Sequence, residues 1–201
     1  MNLFMNCSGV HLTNGLKWLN EPEVWDFNKE ALYVAPDGKT DVFRKYGHPA
    51  RDNACFLYTE VEGDFTLISK LKVEATAFAD AGAITVRSDE RMWAKLCIER
   101  SPIGETSIVS VVTNGWSDDA NNELLETPGA YLRITRIGNV IGMHYSLAGK
   151  TWRFVRTFAL DWPSVVKAGI QAQAPVQAGC KVYCEELRLS RAVVRDFRSG
   201  E

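Results

Sequence analysis

The chain has 201 residues, of which 46% are hydrophobic and 24% charged, and its formal net charge is -2. This composition favours a folded core over disorder and suits a single domain spanning residues 1–201. The near-neutral balance argues against a general nucleic-acid footprint and against binding to anionic membranes, and no uninterrupted apolar run approaches the length of a transmembrane helix.

Met1–Val10 lacks the basic and apolar regions of a signal peptide. Five cysteines, Cys7, Cys55, Cys97, Cys180 and Cys184, make an odd set without a C-x-x-C pair. Cys180 and Cys184 share one expected strand, and four residues of strand span roughly 13 Å, too far for a disulfide. Free thiols and a cytoplasmic location are the expectation.

In chain order, Leu16–Leu19 is a first short apolar segment, broken at Asn20–Glu23. Trp25–Val34 leads into a strand that ends at the Pro36-Asp37-Gly38-Lys39 turn. Thr40–Lys45, Ala54–Thr59 and Phe65–Val73 read as strands, with a polar loop over Tyr46–Asn53. The stretch Asp80–Glu99 reads as a hairpin in which Ala83–Arg87 and Met92–Glu99 flank the loop Ser88–Arg91. Alternation sends Ile84, Val86, Met92, Ala94, Leu96 and Ile98 to the core, and Thr85, Arg87, Trp93, Lys95, Cys97 and Glu99 to the other face. That second face is expected to be open, with Trp93 exposed on it.

Thr106–Thr113 follows as a strand, and then Asn114–Gly129, rich in Asn, Asp, Ser and Gly, reads as the longest loop. Tyr131–Thr135 and Asn139–Ser146 form another hairpin, and Trp152–Phe158, Ala168–Ala174 and Cys180–Ser190 are the closing strands. Asp161–Val166 reads as one helical turn, and the charged end Arg191–Glu201 is expected to fray. Turn signals every 8–12 residues without helical periodicity indicate an all-β sandwich or barrel.

Several stretches carry a family resemblance: WLNEPEVW, PDGKTDVFRK, DNACFLYTEVEGDFTLISKL, DAGAITVRSDERMWAKLCIE, and SLAGKTWRFVR followed by AGIQAQAPV. Together they resemble the regulation-of-enolase protein family, the DUF1349 group of the concanavalin A-like lectin/glucanase superfamily. The hairpin also resembles the concanavalin A-like domain at the C-terminus of some β-xylosidases. The resemblance implies a jelly-roll sandwich of two antiparallel sheets, one of them concave. It also implies either carbohydrate binding or an enolase-regulating interaction. The sequence departs from the family pattern at Phe43 (tryptophan in the family), at Cys55 (histidine) and at Asp80–Arg87, where Gln and Met are missing.

Glycoside hydrolysis needs two carboxylates about 5–10 Å apart. The superfamily's alternating acidic motif is absent, Asp89-Glu90 and Glu185-Glu186 are adjacent pairs, and Glu99 stands alone on its face. No G-x-S-x-G occurs, and His11, His48 and His144 lie in unrelated contexts, His144 reading as structural. Asp118, Asp119, Asn121 and Asn122 offer oxygens for calcium, but in what reads as an ordinary solvated loop. The expectation is therefore a non-catalytic binding protein with no cofactor and no metal. Arg87, Trp93, Lys95 and Glu99 form the centre of its ligand face, joined by Arg44, His48, Asp52 and Trp116. The partner is a glycan or another protein, and the oligomeric state stays open.

Overall fold

The computed structural model describes residues 1–29 and 31–201. Among them sixteen strands form, and no helix is long and apolar enough to cross a membrane. The strands are β1 (Lys17–Leu19), β2 (Val24–Asn28), β3 (Ala31–Ala35), β4 (Val42–Phe43), β5 (Arg51–Asp52), β6 (Cys55–Glu62), β7 (Phe65–Glu74) and β8 (Ala81–Arg87). They continue as β9 (Met92–Arg100), β10 (Thr106–Asn114), β11 (Trp116–Leu125), β12 (Gly129–Ile137), β13 (Val140–Ser146), β14 (Arg153–Ala159), β15 (Val165–Gln173) and β16 (Lys181–Ser190).

Two seven-stranded sheets face each other. The first runs β1-β6-β15-β8-β9-β10-β11, the second β14-β13-β12-β7-β16-β3-β2, and β4-β5 form a small separate ribbon. Pairing within both sheets is antiparallel, which makes the molecule the jelly-roll sandwich expected from the sequence. Alternation explains the core between the sheets. Ile84, Val86, Ala94, Leu96, Ile98, Ile108 and Ile170 of the first sheet meet Phe65, Leu67, Leu71, Leu132, Ile134 and Met143 of the second. A bulge between Cys184 and Glu186 lets both Cys184 and Leu187 face inward. Ser69, at a core-facing position of β7, donates to the bulge carbonyl of Glu186 at 2.9 Å.

The hairpin register is as read: Arg87 opposes Trp93, Thr85 opposes Lys95, and Ala83 opposes Cys97. Its outer face, however, is not open. The segment between Lys39 and Ala54 folds across it, and Val42, Phe43 and Ala54 cover Trp93, Cys97, Val109 and Val111 in a second apolar cluster. Trp93 is consequently 0% exposed and Arg87 7%. This closure corrects the expectation of an exposed tryptophan, because outward parity places a side chain on a face without saying what lies over that face.

Four other expectations are corrected. Residues 114–129 are largely the edge strand β11, not a loop; an edge strand can be polar on both faces, so it lacks an apolar alternation. Val24–Asn28 and Ala31–Ala35 pair as two antiparallel strands, rather than one strand with a lead-in. Residues 161–166 make no helical turn, since β15 begins at Val165. The C-terminal end is anchored rather than frayed: His144 Nε2 bonds the Phe197 carbonyl at 2.7 Å, and Arg133 donates to Gly200 O at 2.8 Å. Gly142 makes room for this tail, for a Cβ there would lie 2.5 Å from the Phe197 ring. His144 is thus a structural residue, completely buried. All five cysteines are free and buried.

Candidate functional site

The same segment that buries Trp93 leaves a cleft beside it. Ala81 and Ala83 on β8 stand opposite Glu99 and Cys97, so the sheet surface there carries little bulk on that side. The resulting cavity of about 660 Å³ has Lys95, Glu99, Val109, Val111 and Gln173 as its floor. Phe43, Lys45, Tyr46 and Arg51 come from the overlying segment, and Ser117 and Asp119 come from β11. Phe78, Pro175 and Val176 complete the lining. The turn bearing Phe78 is fixed by buried Asp80, whose Oδ2 accepts from Thr76 N at 2.8 Å and Ala77 N at 2.9 Å.

Lys95 is 1% exposed and almost fully engaged. Its Nζ donates to Gln173 Oε1 at 2.7 Å and Val42 O at 3.0 Å, and stands 4.0 Å from Asp41 Oδ1. Gln173 is oriented in turn by donating to Ala79 O at 3.0 Å and accepting from Gln171 Nε2 at 3.1 Å. This network ties the floor to the overlying segment and holds the Lys95 charge in place.

Glu99 is the chemically unusual group. Burial pushes its carboxyl up to about 7; Lys95 pulls it down, and Asp41 and Asp119 push it further up. Among the described residues it makes no hydrogen bond within the protein, so its oxygens are left for whatever enters the cleft.

Of the residues singled out in the sequence, Lys95 and Glu99 lie in the cleft. Arg87 and Asp52 instead hold each other, Nη1 to Oδ1 at 2.5 Å and Nη2 to Oδ2 at 2.7 Å, and Trp93 is sealed beside them. Trp116 does not line the cleft; it is 44% exposed, with its ring 5.1 Å from that of Tyr46, which does. Arg44 supports this pair, donating from Nε to Gly115 O at 2.9 Å with its guanidinium 5.9 Å from the Trp116 ring. His48 is exposed in the turn after Tyr46 and does not line the cleft.

Asp41, Lys45, Tyr46, Arg51, Gln173 and Phe78 were not singled out by the sequence, because they are brought over the sheet by tertiary packing. Asp119 was noted only among calcium oxygens. Those oxygens do not converge: Asp118 pairs with Arg156 at 2.8 Å, Asp119 faces the cleft, and Asn122 Nδ2 donates to Ala120 O at 2.9 Å. Among the described residues no group of three or more His, Cys, Asp or Glu side chains could hold a metal ion.

The architecture has known counterparts. The family model described as a protein of unknown function, DUF1349, matches residues 18–192. The chain belongs to the DUF1349 family. A functionally unknown protein from Saccharomyces cerevisiae is similar at 28% identity and a TM-score of 0.84, over 89% of this chain and 97% of that one. The GH43 protein BlXynB from Bacillus licheniformis matches at 15% identity and a TM-score of 0.73, over 95% of this chain but only 39% of its own length. The CBM2 module of the evolved Dit protein of Lactobacillus casei BL23 phage J-1 matches at 11% identity and a TM-score of 0.60, over 94% of this chain and 93% of that one. The last two likenesses concern the fold alone. No curated protein matches this DUF1349 chain.

Proposed function

We propose that this DUF1349 protein binds a short saccharide in the cleft, without turning it over. The observation that carries the reading is an exposed aromatic lip, the Tyr46 ring backed edge-on by Trp116, above a polar floor of Lys95, Glu99 and Gln173 in one cavity of about 660 Å³ lined by Tyr46 and those three residues. Sugar rings present apolar C–H faces and hydroxyl edges, and this cavity offers a partner for each. Two structural neighbours, a GH43 protein and a CBM2 module, support the reading as fold-level analogy. Five free, buried thiols fit a reducing compartment such as the cytoplasm.

The test is calorimetric titration with xylo- and gluco-oligosaccharides. Tyr46→Ala should lose about 1–3 kcal/mol of binding, by analogy with aromatic stacking of bases, with the melting temperature nearly unchanged because the ring is exposed. Absence of binding by every sugar, together with capture of a partner through the same lip, would replace the reading with a protein-docking role of the enolase-regulating kind. One observation favours a third outcome: Glu99, protonated up to about 7, shares the cleft with Asp41 and Asp119, and such carboxyl groups serve glycosidases as acid and base. Release of a chromophore from aryl glycosides, lost in Glu99→Gln, would make the protein a hydrolase.

A further inference from the structure

We propose that the cleft selects an acidic saccharide, one carrying a carboxylate such as a hexuronate unit, and that Glu99 is the specificity-determining residue. The proposal rests on the saccharide reading above and narrows it to a chemical class. Glu99 lines the cleft with no hydrogen bond to the protein among the described residues. As a neutral acid it offers an O–H, and a carboxylate is among the strongest acceptors such a donor can meet. As a carboxylate it would repel the same ligand.

The charges around Glu99 favour that occupant. From its own strand it faces Lys95; from the overlying segment come Asp41, Lys45 and Arg51; from β11 comes Asp119. Asp41 is held between two of the cations, 4.0 Å from Lys95 and 3.8 Å from Arg51. Lys45 has no ion pair among the described residues. With Glu99 neutral, three cations therefore face two carboxylates, leaving the lining one positive charge in excess. Burial outweighs the pull of Lys95 and keeps the acid form up to about pH 7.

Calorimetric titration of the intact chain with digalacturonate and with xylobiose, at about pH 5.5 and about pH 8.5, tests this. Digalacturonate should bind more tightly than xylobiose at the lower pH and roughly thirty-fold more weakly at the higher, since only the protonated fraction of Glu99 is competent. Xylobiose affinity should change little. Glu99→Gln keeps a donor and removes the charge, so digalacturonate should bind that variant equally at both pH values. The pH profile of the unmodified chain stands alone if the variant fails to fold. Equal affinity for the two sugars, or pH-indifferent binding of digalacturonate, overturns this proposal and leaves the saccharide reading standing. Absence of binding by both sugars at both pH values overturns this proposal, and the saccharide reading falls with it when the xylo- and gluco-oligosaccharides also fail to bind.

Discussion

Arg87 grips Asp52 with both terminal nitrogens, at 2.5 and 2.7 Å, across 35 positions of chain. Arg87 belongs to the sheet and Asp52 to the segment folded over it, so this pair fastens the cleft's roof to its base. Asp52→Ala would leave a guanidinium that is only 7% exposed without its counter-charge. The expected loss is about 2–4 kcal/mol, discounted because the Asp52 side chain keeps partial access to water. Denaturant unfolding would measure the loss. Faster proteolytic cutting between Lys39 and Ala54 would show that the roof has come loose.

Trp93 supports the fold rather than the ligand. Trp93→Ala should cost about 3–5 kcal/mol, and Leu96→Ala, on the opposite face of the same strand, about 2–5 kcal/mol, since both side chains are 0% exposed. The indole Nε1 has no hydrogen-bond partner among the described residues, so Trp93→Phe should cost distinctly less than Trp93→Ala. Equal melting temperatures for the Ala variant and the native chain would mean that the segment over Trp93 contributes no packing.

Stability should respond to pH through two groups of opposite sign. Glu99 is raised from 4.5 to about 7, so the folded chain binds more protons there, and this contribution falls as pH rises through that window. Burial lowers His144 from 6.5 to about 4, so the unfolded chain binds more protons there, and this contribution falls as pH drops through that window. Between about pH 4.5 and 6.5 the two slopes oppose each other. Urea midpoints should therefore vary little in the native chain, rise with pH in Glu99→Gln, and fall with pH in His144→Gln. Identical profiles for all three proteins would contradict these assignments.

The thiols should be silent until the fold opens. All five are buried, and burial pushes Cys55, Cys97, Cys180 and Cys184 up to about 12, which leaves almost no thiolate at neutral pH. A disulfide-exchange reagent should react slowly with the native chain and titrate five groups in denaturant without reductant. Two fewer would indicate a disulfide that the fold does not contain.

The sandwich is legible because turn signals recur every 8–12 residues without helical periodicity and the β8–β9 hairpin carries Ile84, Val86, Ala94, Leu96 and Ile98 at one parity, although Thr66, Ser69 and Lys70 blur the pattern of β7. The same parity correctly grouped Arg87, Trp93, Lys95 and Glu99 on one face. It did not reveal the cover over that face, since Val42 meets Trp93 through packing between segments about 50 positions apart. Strand β11 is hidden in the sequence for a different reason. Its run Ser117-Asp118-Asp119-Ala120-Asn121-Asn122-Glu123 has no apolar period, and only a sheet's edge tolerates such a strand. Nothing in that run marks Asp119 and Ser117 as a cleft wall.

The polar character of β11 has a bearing on self-association. As the last strand of the first sheet, it offers one side of its backbone to any passing strand. Charged side chains crowd that border, Asp118 paired with Arg156 at 2.8 Å and Glu123 with Arg153 at 3.5 Å, and a strand docking there would have to desolvate them. Replacing Asp118, Asp119 and Glu123 by Thr or Val would leave an uncharged edge of high strand propensity, and light scattering should then show lower solubility.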